Sequence, residues 1–230
     1  MTLRQIKMRH VKSFVLRAGK ITPGQQKALD NLLQVHGIEH VSSLVDLDII
    51  FGRNNSKIIE IGFGMGKSTS ETAIANPDFD YLGIEVHPPG VGSLLMEIDQ
   101  YKINNVKVIR YDAVKVIKDM IMDNSIHGFH IFFPDPWHKK RHNKRRMIQA
   151  SFIDLLCSKL KPGGYIHLAT DWEDYAIWML DILKSNSKLM NTSSTGDYVP
   201  RPLQRPETKF EQRGLSLGHG VWDLIFNKIA

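Results

Sequence analysis

From Lys57 onward the chain alternates short β-favouring apolar runs with longer segments of helical character, and that alternation leaves few architectures open. KIIEI precedes GKSTSETAIA, DYLGIEV precedes a helical segment reaching about Tyr101, and VKVIRYD precedes AVKVIKDMIM. HGFHIFF then leads to a helix over about Ile148 to Leu160, the Lys161-Pro162-Gly163-Gly164 turn, the strand YIHLAT and a helix from Trp172. Strand-helix-strand units of this kind cross over right-handed, so the repeats predict an α/β fold with a doubly wound parallel sheet. Thr22-Pro23 starts an earlier helix through Leu33, because proline suits a first turn. Residues 191–208, rich in Thr, Ser, Gly, Pro and Arg, read as a loop before a last apolar run, VWDLIF.

A chain of 230 residues with 42% hydrophobic content can bury one sizeable core, so a single domain is expected over residues 21–230. Ahead of it, residues 1–20 carry Arg4, Lys7, Arg9, Lys12, Arg17 and Lys20 without an acid, the composition of a mobile basic arm. The lone cysteine, Cys157, excludes an intrachain disulfide and fits a reducing compartment. No run approaches the roughly 18 to 20 apolar residues that span a bilayer, and a soluble, cytoplasmic protein is expected. The net charge of +6 permits a polyanionic partner without requiring one.

Glu60-Ile61-Gly62-Phe63-Gly64-Met65-Gly66 follows the first strong strand and opens a helix, the place where an open α/β sheet binds nucleotide-like ligands. Spacing separates the candidates. A phosphate-binding loop needs four residues between its first glycine and the Gly-Lys-Ser, but only three separate Gly62 from Gly66. A dinucleotide fingerprint would place its third glycine one residue later. The remaining pattern, E-x-G-x-G-x-G, resembles the first motif of class I S-adenosylmethionine-dependent methyltransferases. That cofactor has no phosphate and carries a positive sulfonium, so a carboxylate at Glu60 makes chemical sense. Glu85 ends the next strand, where an acid can accept ribose hydroxyls, and Asp112 ends the third, placed for an adenine amino group.

The segment Phe132 to Arg146, FFPDPWHKKRHNKRR, joins a buried strand, an acid in a turn and a cationic run. Pro134 stops the strand, Asp135 falls in the turn, and six of the eight residues from Lys139 to Arg146 are Lys or Arg, a density suited to phosphates. Trp137 and Phe210 offer flat faces for a base. The histidines show no H-E-x-x-H or Cys/His cluster, so no metal is expected. On residues alone, a methyltransferase for another nucleic acid or a small molecule, a non-catalytic RNA-binding subunit and an NTPase stay open.

VKSFVLRAGKITPGQ, EIGFGMG, LGIEVH, FFPDPWHKKRHNKRR, ATDWEDYA and TKFEQRGLSLGHGVWDL together resemble the bacterial tRNA (guanine-N7-)-methyltransferase family over most of the chain. The resemblance implies a seven-stranded, mostly parallel sheet of the class I methyltransferase (Rossmann-like) type, with S-adenosyl-L-methionine as methyl donor and tRNA as partner. It implies that Glu60, Glu85, Asp112 and Asp135 contact the cofactor beside Gly62, Gly64 and Gly66, and that Asp135 is also catalytic. Lys139, Asp171, Thr208, Lys209, Phe210 and Glu211 would hold the target nucleotide. Arg141, His142, Asn143, Lys144, Arg145 and Arg146 would contact the RNA backbone. The methyl group would go to N7 of a guanine in the tRNA variable region. Monomer and homodimer are equally compatible with these residues.

Overall fold

A computed structural model describes residues 19–207, 211, 212, 218 and 220–229. The expected basic arm, except for residues 19 and 20, lies outside the described residues, as do Thr208, Lys209 and Phe210. Seven strands form one sheet in the order β3-β2-β1-β4-β5-β7-β6. They are β1 (Ser56–Ile61), β2 (Phe79–Ile84), β3 (Val106–Ile109), β4 (Ile126–Phe132), β5 (Leu160–Thr170), β6 (Leu189–Asn191) and β7 (Trp222–Lys228). β7 runs antiparallel to both of its neighbours, and the other ladders are parallel.

The helices are α1 (Pro23–His36), α2 (Leu47–Phe51), α3 (Lys67–Ala75), α4 (Pro88–Gln100), α5 (Ala113–Met120), α6 (Ala150–Lys159) and α7 (Glu173–Ser185). Side chains alternate across each strand, so each sheet face receives its own core. Ile58, Tyr81, Val106 and Val108 pack with α1, α3 and α4, while Ile59, Ile61, Ile84 and Ile109 join the layer holding α5, α6 and α7. Thr22 caps the start of α1 through a reciprocal pair with Gln25, and the helix runs past the expected Leu33 to His36. The short α2, the three-residue β6 and a 3-10 helix at Lys140–Arg145 carry too little periodicity to be read in the sequence. Among the described residues, no helix is long and apolar enough to cross a membrane.

The chain leaves β1 toward β2 and β3, then returns to place β4 on the other side of β1. This reversal opens a crevice at the carboxyl ends of β1 and β4. Gly66, with φ +79°, closes the turn from β1 into α3, and a Cβ there would stand 2.5 Å from the Leu94 Cβ of α4. Gly66→Ala is expected to cost about 2–5 kcal/mol from backbone strain and overpacking together. Gly163→Ala, with φ +74° and nothing within 4 Å, is expected to cost only about 1–2 kcal/mol from strain. Urea unfolding of the two variants measures the difference, and equal losses would show that Leu94 does not constrain the turn.

Candidate active site

Five acids stand at or just beyond the carboxyl ends of adjacent strands: Asp112 after β3, Glu85 after β2, Glu60 in β1, Asp135 after β4 and Asp171 after β5. Parallel strands force this convergence, because all their carboxyl ends share one edge of the sheet. Glu60 is 4% exposed and forms no ion pair among the described residues. Burial pushes its pKa up to about 7, the Thr69 hydroxyl pulls it down, and the nearby Glu85 charge adds to the rise. The buried Ser68 Oγ completes no hydrogen bond among the described residues. The rim at β1 and α3 holds an acid that meets the Thr69 hydroxyl and, among the described residues, no cation.

Glu85 is already engaged. Its Oε2 accepts from the Gly64 amide at 3.1 Å, and its Oε1 accepts from Val86 N at 2.7 Å and His87 N at 3.0 Å. A carboxylate offers about four acceptor positions, so one remains for a hydroxyl. Gly62 and Gly64 have φ of +74° and +58°, and a Cβ at either would meet nothing within 4 Å. The loop thus presents bare backbone to an open space, pinned by Glu85. Asp112 caps α5, accepting from Val114 N at 3.0 Å and Lys115 N at 3.4 Å through Oδ1, which leaves Oδ2 available.

Asp135 is exposed on an irregular segment, between Phe133 with φ +51° and Trp137 with φ +49°. Left-handed backbone at two bulky residues is strained, and such strain gathers at functional sites. The cationic run follows as the 3-10 helix, with Lys139 at its amino-terminal cap. Lys139, Arg141 and Lys144 are exposed, His142, Asn143 and Arg145 are half-buried, and the Arg145 guanidinium lies 4.9 Å from the Trp137 ring centroid. Residual desolvation and then the charges of Arg141, Arg145, Lys139 and Lys144 lower the pKa of His142. These four cations form no ion pair among the described residues, and Lys139, Arg141 and Lys144 face solvent.

Two of the expected contact residues are buried. Arg146, read as the last backbone-binding cation, is 2% exposed and turns inward, donating to the Pro136 carbonyl and pairing with Asp174. It is not presented to a phosphate. Glu211, read as a ligand for the nucleotide, is also 2% exposed, and both of its oxygens accept from Arg205, at 2.6 and 2.7 Å. Arg205 also donates to Asp223 at 2.7 and 2.9 Å, and Asp223 meets His167 Nε2 at 2.7 Å. Burial alone would raise the pKa of Asp223, but hydrogen bonds from His167 and Arg205 outweigh it and hold the carboxyl below the usual range. The network touches the Asp135 turn, since the Arg205 guanidinium lies 5.5 Å from the Phe133 ring centroid.

Arg205 and His167 lie outside the motifs read in the sequence, while Asp223 and Trp172 lie inside two of them, TKFEQRGLSLGHGVWDL and ATDWEDYA, with no role assigned there. Trp172, just past β5, meets the His138 ring edge-on at 4.1 Å between centroids. A separate cavity of about 400 Å³, lined in part by Asp123, Asn124, Cys157, Lys188 and Lys228, opens at the opposite end of the sheet, away from these acids.

The geometry agrees with what the chain resembles. A family model described as "Putative methyltransferase" matches residues 54–224. A tRNA (guanine-N(7)-)-methyltransferase of Methylobacillus flagellatus is 55% identical over 225 residues, covering 97% of this chain and 94% of that one. Its counterpart from Chromobacterium violaceum is 57% identical over 220 residues, with 96% of each chain covered. Among solved structures, the 16S rRNA methyltransferase KamB superposes with a TM-score of 0.59 at 13% identity, covering 83% of this chain and 97% of that one. That likeness shows a shared fold. With the acid-lined edge in place and the relatives matched along nearly their whole length, the chain belongs to the tRNA (guanine-N(7)-)-methyltransferase family.

Proposed function

We propose that this protein transfers a methyl group from S-adenosyl-L-methionine to N7 of a guanine in the tRNA variable region, leaving S-adenosylhomocysteine and 7-methylguanosine. The observation that carries this reading is the order of groups along one edge: glycine loop and acids, then Asp135, then exposed cations. The residues suit the cofactor. The open backbone at Gly62 and Gly64 admits a close ligand, the unpaired Glu60 suits a cationic amino-acid end, and Glu85 and Asp112 retain acceptor positions for ribose and adenine. When bound, S-adenosylmethionine supplies a methyl group on a positively charged sulfur.

Guanine N7 has an in-plane lone pair and no proton, so Asp135 need not act as a base toward it. Orientation dominates, and holding two reactants in line contributes roughly 7–11 kcal/mol. As the purine gains positive charge, the Asp135 carboxylate stabilises it. Lys139 and Asp171 flank that position and hold the nucleotide. Thr208, Lys209 and Phe210 are assigned to the same task, and Glu211 supports it from below through Arg205. Arg141, His142, Asn143, Lys144 and Arg145 meet the backbone, where each phosphate neutralised steepens log K against log salt by roughly 0.7–0.9. We place the whole activity in one domain from residue 21 onward, with the basic arm as a further RNA contact, acting on tRNA in the cytoplasm.

Incubation with tritiated S-adenosylmethionine and unmodified tRNA, followed by nucleoside analysis, is expected to give label in 7-methylguanosine; label elsewhere, or none, refutes the proposal. Asp135→Asn is expected to lower kcat by about 100-fold. Glu60 adds a proton linkage. With a pKa of about 7 the free protein holds this carboxyl about half protonated at pH 7. A bound cation favours the carboxylate, so cofactor binding should release a proton at pH 7, and affinity should rise with pH between about 6 and 8. Calorimetry in buffers of different ionisation heat measures this, and identical heats at pH 7 would contradict it.

A further inference from the structure

We infer that Arg146 is a positioning residue for the Asp135 turn and makes no contact with RNA, an inference that rests on the catalytic role proposed for Asp135. The guanidinium is engaged along one edge and on its face. Its Nε donates to the Pro136 carbonyl at 2.9 Å, and an NH2 donates to Asp174 Oδ2. Its planar face is covered by aromatic rings, with centroids of Tyr175 at 4.8 Å and Trp178 at 5.3 Å. Those rings are tied down in turn, since Tyr175 Oη accepts from Ile148 N at 3.2 Å and Trp178 Nε1 donates to Ile148 O at 2.7 Å. The side chain of Arg146 is 1% exposed, whereas its ion-pair partner Asp174 is 69% exposed.

The target of this clamp explains its use. Pro136 follows Asp135 directly, and the two lie between the left-handed residues Phe133 and Trp137. Backbone held in such a conformation relaxes unless its surroundings over-determine it. Phe133 N donating to Ala169 O at 2.8 Å fixes one end, and Arg146 fixes the other. A planar fork that donates along one edge while stacking on two rings is chemistry that lysine lacks. Arg146 thus places the Asp135 carboxylate, and the cations before it in the sequence serve the RNA.

The test compares R146K with Arg141→Ala in steady-state methylation of tRNA at several salt concentrations, with thermal unfolding as a control. R146K keeps the charge, so a phosphate contact would largely survive it. The expected result for R146K is a 10- to 100-fold loss of kcat, since a misplacement near 1 Å can cost about 100-fold, with KM for tRNA and the salt slope unchanged. R141A is expected to raise KM and flatten the slope by about 0.7–0.9 with kcat little altered. Wild-type kcat in R146K, with or without a flatter slope, overturns the inference. If R146K does not fold, D174N decides, because that exposed partner can be neutralised without unpacking the core: a kcat loss with an unchanged slope supports the inference, and wild-type kcat overturns it. Wild-type protein that makes no 7-methylguanosine overturns the functional reading itself, and the positioning role with it.

Discussion

Right-handed crossovers between parallel strands impose the constraint on which the rest of this molecule depends. Every parallel strand must end at the same edge, and the reversal of strand order around β1 parts the connecting helices there. Polar groups that would be costly inside the sheet gather at this one opening. The acids at the carboxyl ends of β1, β2, β3, β4 and β5 are distant in sequence, yet the sheet order alone makes them neighbours. The glycine loop then removes side chains from the wall that a ligand must approach, and Glu85 holds it through the Gly64 amide.

Around that edge the fold tolerates buried charge, which is destabilising unless it is paired and hydrogen-bonded. Arg205 is satisfied by two carboxylates, and Arg146 by a carbonyl, a carboxylate and two aromatic faces. Glu60 is the exception, buried among hydroxyls with no cation among the described residues. An uncompensated acid of this kind suits a cationic ligand, and its raised pKa is the trace that ligand-free burial leaves. The two buried arginines both meet the segment after β4, one against the Phe133 ring and one on the Pro136 carbonyl. The strained turn at Asp135 is thereby gripped by the protein before any substrate arrives.

Much of this was legible from residues alone. Short apolar runs separated by helical segments pointed to the parallel sheet, and the spacing of Gly62, Gly64 and Gly66 separated the loop from its phosphate-binding look-alikes. Acids at strand ends were readable because a strand's end can be located from its apolar run. The direction of a side chain within a dense charged run was not. Lys144, Arg145 and Arg146 are alike in composition, and only the packing of α7 decides that the first faces solvent while the last is buried under Tyr175 and Trp178. The pairing of Glu211 was illegible for a similar reason, since its partner Arg205 announces nothing by itself.

One edge is proposed to carry, in order, a cofactor loop, a catalytic carboxylate held by Arg146, and a phosphate-binding run. A crystal structure of the protein with S-adenosylhomocysteine and tRNA tests it most directly. The account predicts the adenosyl group over Gly62 and Gly64 with Glu85 on its ribose, the target guanine at Asp135, phosphates on Arg141 and Lys144, and Arg146 still bonded to the Pro136 carbonyl. A nucleoside seated instead in the cavity beside Cys157 and Lys228, or Arg146 swung out onto a phosphate, would contradict it.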